Sequence, residues 1–286
     1  MSTSARTATL WLDFSRQAES AATTLRIHRQ DVPWRVLRGF PNSAGETLAH
    51  LHNISGGILD TDELHLQISV GPSAQAQLTS TGATRIYRSR SPRHCSRSRV
   101  EVEVGADGLL EYVPDAVIPY AGSRYEQFTR ITLQPRAALL WWELIAPGRE
   151  AFGETFGYAR FASSFLILED RRPLLEEHWE LEPSLRPLGS PARLGHFRHM
   201  ASLYICRPGT AGAHWRDIEA RLDALASELT LADQVLWGVS RLRAGGIVLR
   251  GLACNGRVLM QGLTSLWRAA KLSLCGRSAS LPRKLY

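Results

Sequence analysis

Lysine is nearly missing from this sequence: Lys271 and Lys284 are the only two in 286 residues. The positive charge is therefore carried by arginine, which codon usage in a GC-rich genome produces without any binding surface. Cysteine is also scarce. Cys95, Cys206, Cys254 and Cys275 include no CxxC pair, which argues against a disulfide framework or a closed zinc site and predicts reduced thiols. Long apolar runs are lacking. The longest, such as AALLWW at 137–142, are far too short to span a bilayer. The start, MSTSARTATLWLDF, has no basic region followed by an apolar core, so a soluble, cytoplasmic chain is expected, with no membrane partner. There is no Walker A sequence, no GxGxxG after a strand, no GxSxG and no HExxH. These absences argue against a self-contained NTPase, a dinucleotide enzyme, a nucleophile-elbow hydrolase and a zincin.

What is present is enough apolar content for a sizeable core, at 44% hydrophobic residues. The net charge of +7 allows an acidic partner without choosing one. From about residue 20 to 205 the pattern has period two. Leu64, Leu66, Ile68 and Val70 share one face of ELHLQISVG; Val100, Val102 and Val104 share one face of RVEVEV. FTRITL and SSFLILE read the same way. Gly105, Asp107 and Gly108 predict a hairpin between RVEVEV and LLEYV. Prolines 33, 41, 72, 92, 114, 119 and 135 fall between the runs.

The period then changes. Ile218, Leu222, Leu225 and Leu229 predict one helical face. VLWGVSRL and IVLRGLAC read as strands around a Gly245-Gly246 turn. A second helix follows, with Val258, Leu259, Gly262, Leu263, Leu266, Trp267 and Ala270 on one face, Asn255 at its start and Gly276 at its end. No internal repeat and no linker stand out. The expectation is one mainly β domain over residues 1–286, with a lead-in of about 1–24 and two helices within 213–275.

Several side chains carry candidate chemistry. His50 and His52 would share a strand face, and His196 and His199 a helical turn, arrangements able to bind a metal; neither pair has carboxylates at a diagnostic spacing, so ordinary surface or half-buried histidines are the expectation. Asp60, Asp62, Glu143 and Glu154 sit among apolar or glycine-rich neighbours, where a carboxylate must find a partner. An arginine such as Arg149 is the expected partner of Glu143; the alternative is that these acids give a polar lining to an internal cavity. Arg85, Arg88, Arg90, Arg93, Arg97 and Arg99 form a basic stretch with only Tyr87 and His94 to stack on bases, so a solvated loop or a protein-docking surface fits better than nucleic acid. Two alternatives stay open at this level: a basic β-rich nucleic-acid-binding domain, and a metalloenzyme using His50 and His52.

Five segments in order resemble the urease accessory protein family UreD, called UreH in some bacteria. GGILDTDELHLQISV is similar to that family's GG-x-x-GGD-x-L strand, and LTSTGATRIYRS to its L-T-x-x-A-T-K-hydrophobic-Y-R-S. LLEYVPDAVIPYAGSRYEQFTRITL resembles its L-E-Y-L-P-D-x-x-I-P-F segment, LLWWELIAPGREAFGETF its GR-x-x-x-GE-x-F, and the final PR its C-terminal signature. Asp60-Thr61 replace the usual Gly-Gly, which predicts a less sharp turn. Arg85 replaces a lysine, and Glu143 stands where Asp is common.

The resemblance implies an irregular, β-helix-like stack of many short strands with two C-terminal α-helices. It implies a non-enzymatic scaffold that binds urease apoprotein and recruits UreF and, through it, the GTPase UreG, for GTP-dependent nickel insertion. No stably bound cofactor is implied. A transient Ni²⁺ path through Asp60, Asp62, Glu143, Glu177, Thr79 and Ser80 is. Arg88, Arg90, Leu263 and Leu266 are the candidate partner contacts, although for the two leucines packing on the chain's own strands is the favoured reading.

Overall fold

Residues 7–17, 22–42 and 45–281 are described in the computed structural model. Its strands begin with β1 (Thr7–Arg16), β2 (Thr23–Gln30), β3 (Trp34–Arg35), β4 (Phe40–Pro41), β5 (Thr47–Asn53) and β6 (Glu63–Val70). They continue with β7 (Gln75–Ser80), β8 (Thr84–Ile86), β9 (Ser96–Val104), β10 (Leu109–Tyr112), β11 (Val117–Pro119) and β12 (Arg124–Leu133). Then come β13 (Ala138–Ile145), β14 (Arg160–Glu169), β15 (Arg172–Leu181) and β16 (His199–Cys206). Helix α1 (Gly212–Leu229), the pair β17 (Val235–Arg241) and β18 (Ile247–Ala253), and helix α2 (Gly256–Cys275) complete the order. Strand β1 lies inside the expected lead-in, and the final Pro282-Arg283 of the family-like ending falls outside the described residues.

One sheet runs β15-β14-β12-β9-β6-β1-β2 and the other β17-β18-β16-β13-β10-β7-β5-β3. From β5 to β14 the long strands alternate between the two sheets. Neighbours within each sheet are parallel there: β6 beside β9, β9 beside β12, and β12 beside β14 in one, β5 beside β7, β7 beside β10, and β10 beside β13 in the other. The chain thus coils, running along one sheet, turning through an arch and returning along the other. This is the mainly β, β-helix-like stack with two C-terminal helices that was expected. It is also a structural repeat that the sequence does not display, because the coils share geometry and alternation but no residue motif.

The arches explain why the predicted hairpin is absent. β9 and β10 lie in different sheets, and Gly105–Gly108 joins them. Successive arches stack: Gly105 N–H donates to Val70 O (2.7 Å), Ser73 N–H to Ala106 O (2.9 Å) and Gln134 N–H to Val104 O (2.9 Å). Asp107 takes φ 58°, so the Asp-Gly signal was real, but it turns the chain between layers instead of within one.

Alternation then builds two apolar layers. Leu66, Ile68, Val102, Val104, Ile131, Leu133 and Phe165 of the first sheet meet Leu78, Leu110, Leu139 and Trp141 of the second. The opposite face of the second sheet, with Leu140, Trp142, Leu144, Leu203, Ile205 and Leu249, is covered by α1 and α2. Each such buried side chain contributes about 1.5–3 kcal/mol. α1 buries Trp215, Ile218, Leu222 and Ala226, while Leu225 and Leu229 are only half-buried. α2 starts as expected, with Asn255 Oδ1 accepting from Arg257 N–H (2.8 Å), and ends at Gly276 in the left-handed region.

Candidate functional site

The space between the sheets is not closed everywhere. An inner chamber of about 80 Å³ is walled by Tyr112, Tyr125, Gln127, Trp141, Glu143 and Phe161, among others. Glu143, Ile145 and Trp179 also wall a wider cavity of about 540 Å³ beside it. On the other side, Trp34, Ile58, Thr84, Tyr112 and Pro114 are shared with a cavity of about 190 Å³ bounded by Gly56, Gly57 and residues 80–85. The inner chamber therefore shares walls with both of the other cavities, which share none with each other, so the three lie in series.

Strand alternation places Glu143 at the junction. In β13, Trp141 and Glu143 turn into the inter-sheet space, while Leu140, Trp142 and Leu144 turn to the helices. In β12, Gln127 turns inward and donates from Nε2 to Glu143 Oε1 at 2.6 Å. Burial pushes the Glu143 carboxyl up to about 7, against the opposing pull of the Gln127 amide and the Arg250 charge. Arg149, its expected partner, is instead paired with Glu154 and lies over the Tyr120 ring. The reason is topological: residues after Ile145 leave β13 through a turn, carrying Arg149 away from the strand's inner face.

At the wide cavity, β15 contributes Glu177 and β18 contributes Arg250. Arg250 Nη2 donates to Glu177 Oε1, and Nη1 donates to Ser202 Oγ and to Tyr204 OH (3.1 Å). The Tyr204 hydroxyl donates to Glu177 Oε2 at 2.9 Å. Burial, with Glu143 nearby, raises the Tyr204 hydroxyl pKa and keeps that group protonated as a donor.

The other sequence-derived candidates lie elsewhere. Asp62 is buried and accepts from Leu59 N–H (2.9 Å), closing the turn before β6. That turn is not relaxed by the lost glycines, because Thr61 itself takes φ 66°. Gly57 is needed beside it, since a Cβ there would stand 2.5 Å from Arg85 O. Asp60 accepts from Arg90 N–H (3.1 Å) and contacts His94 Nδ1 (2.8 Å), tying down the basic loop. Thr79 donates to Val113 O (2.8 Å), and Ser80 Oγ accepts from Asp115 N–H (2.8 Å); of these two, only Ser80 lines one of the cavities. Asp60 and Asp62 line none of the three, so the candidate acids are not brought together as one set.

The basic stretch does meet acids, supplied across strands: Arg97 pairs with Glu63 and Glu126. Arg88 packs its side chain beside Gly122. Leu263 and Leu266 are fully buried on the inner face of α2, where they pack in the layer between that helix and the chain's own second sheet. His50 is buried and His52 half-buried; burial, with His50 next to it, lowers the His52 pKa. His199 opens β16 and contacts Glu150 (2.8 Å), with His196 in the preceding loop and not on a helical turn. Among the described residues no group of three or more His, Cys, Asp or Glu could hold a metal ion. Among them, too, no helix is long and apolar enough to cross a membrane.

One site escaped the sequence reading. Lys271, on α2, is 1% exposed and its Nζ lies 2.6 Å from both Glu46 Oε1 and Glu111 Oε1. Trp267 Nε1 donates to Glu111 Oε2 at 2.8 Å. Burial pushes Glu111 up to about 7, with Lys271 pulling the other way. The available signals were a lysine in a chain with two, and a glutamate inside the apolar run LLEYV.

Comparison with known proteins matches residues 6–285 to the family described as UreD urease accessory protein. A urease accessory protein UreD of Herpetosiphon aurantiacus is 42% identical over 277 residues, covering 97% of this chain and 96% of its own. Proteins of the same name from Pseudomonas paraeruginosa (32% identical, 96% and 93% covered) and Cenarchaeum symbiosum (30% identical, 93% and 92% covered) are similar along nearly their whole lengths. The chain belongs to the UreD urease accessory protein family, whose role is in urease maturation.

Proposed function

We propose that this chain is a non-enzymatic scaffold of urease maturation that binds the urease apoprotein, recruits a UreF-type partner and through it a UreG-type GTPase, and lets nickel pass between its two sheets during GTP-dependent insertion. Nickel here is cargo. The observation that carries the reading is the series of cavities with Glu143 standing at the junction of two of them. Ni²⁺ accepts carboxylate, hydroxyl and water oxygens, and a path that must release it needs few and weak ligands. One carboxylate held by a glutamine, with Tyr112, Ser98 and Thr84 around the inner chamber, meets that need better than a closed ligand set.

Glu143→Ala tests it. Urease matured with this variant should carry about tenfold less nickel, the order of loss seen when a supporting metal-site group is removed. The variant should still co-purify with the apoprotein and its UreF-type partner. Unchanged nickel content would defeat the passage reading. Failure to assemble would show that Glu143 serves folding instead.

A further inference from the structure

The wide cavity already holds a cation: the guanidinium of Arg250. It is fixed on three sides by Glu177, Ser202 and Tyr204, and Tyr204 closes the ring by donating to Glu177. Arg250 also lies 5.1 Å over the Tyr204 ring. Glu143, Glu176 and Glu177 all line this cavity, and Arg250 is paired with Glu177 beside the inner chamber that Glu143 also walls. A second positive ion entering there meets a like charge and finds Glu177 taken. Yet the Arg250 side chain is 43% exposed, so its head can swing into solvent without crossing the core. Arginine suits this task because its charge is permanent and its planar fork matches a carboxylate plus two hydroxyls.

We propose that Arg250 is a gate: a resident counter-cation that closes the wide cavity and must be displaced before a divalent cation can be shared by Glu177 and Glu143. This rests on the nickel-passage reading and names the step that regulates it. It also gives Glu177 two roles in turn, as the latch for Arg250 and as the ligand that receives the ion.

The test is equilibrium dialysis of the full-length chain against Ni²⁺ alone, beside thermal unfolding. Arg250→Gln removes the charge and keeps hydrogen-bonding capacity. It should bind Ni²⁺ about tenfold tighter or more than the unaltered chain, a factor that corresponds to about 1.4 kcal/mol. Arg250→Gln with Glu177→Gln should lose that gain, and Arg250→Lys should bind like the unaltered chain. Should Arg250→Gln unfold, Tyr204→Phe loosens the anchor without touching the charge and should show a gain of about twofold to fivefold, set by a fraction of the same free energy. Ni²⁺ affinity unchanged in a folded Arg250→Gln, or in Tyr204→Phe where that variant stands in for it, would overturn the gate. So would a gain that survives in the double variant. Normal nickel content in urease matured with Glu143→Ala defeats passage without altering the dialysis result, so the two failures are told apart.

Discussion

Glu111 and Glu143 sit on adjacent parallel strands of one sheet, β10 and β13, and face opposite ways. Burial pushes both carboxyls up to about 7. Their surroundings differ. Glu111 is sealed under α2, held by Lys271 and Trp267, and lines none of the three cavities described above. Glu143 faces linked cavities and has an amide, not a cation, as its direct partner. A perturbed carboxylate alone therefore does not mark a working site. Free space on one side of it, and a partner that can let go, are what separate the second case from the first.

Removing the cation from the sealed side should break the comparison most severely. Lys271→Met leaves Glu46 and Glu111 facing each other with no counter-charge, and should cost about 3–5 kcal/mol. Denaturant unfolding measures this, and adding Glu111→Gln should restore part of it. A loss below about 1 kcal/mol would mean that the triad behaves like a solvated surface pair.

A smaller effect is expected where α2 meets β17. A Cβ on Gly262 would lie 2.7 Å from the Trp237 ring, which is also wedged against Gly251. Gly262→Ala should cost about 1–3 kcal/mol by overpacking, partly relieved because the ring is half-buried and can shift. Trp237 fluorescence should change together with the unfolding midpoint; an unchanged spectrum and midpoint would show that the ring moves freely.

The mildest test isolates the hollow side through pH. The folded pKa of Glu143 lies above its unfolded value of 4.5, so the native state binds the proton more tightly. Below 4.5 both states are protonated and no difference arises. Between 4.5 and about 7 only the unfolded state ionises, and stability falls as pH rises. His52 and His199, whose pKa values are lowered by burial, act in the opposite sense just below the ordinary histidine value of 6.5. A difference between two proteins removes them. Glu143→Gln should therefore gain on the unaltered chain from pH 5 to pH 8, by about 2–3 kcal/mol. A difference that stays flat with pH would mean that Glu143 is ionised throughout.

Much of this molecule was written in the local pattern. Period-two alternation in ELHLQISV and RVEVEV sets which side chains face inward, because a strand offers only two faces. Asn255 and Gly276 mark α2, since helix ends have fixed chemical needs. The ordered motifs around Gly57, Asp62 and Glu143 indicate the family. Pairing was not written there. Glu143 was expected to meet Arg149, six residues away, and meets Gln127 from a neighbouring coil and Arg250 beyond it. Asp-Gly at 107–108 signals a turn but not whether the next strand joins the same sheet. Lys271 meets Glu111 across 160 residues of chain. The sequence determined strands, faces and helix ends, which depend on neighbours along the chain. Only the tertiary structure decided which carboxylate was sealed and which was left beside open space, because that depends on how parallel coils stack and on what the second sheet and the helices bring across from distant segments.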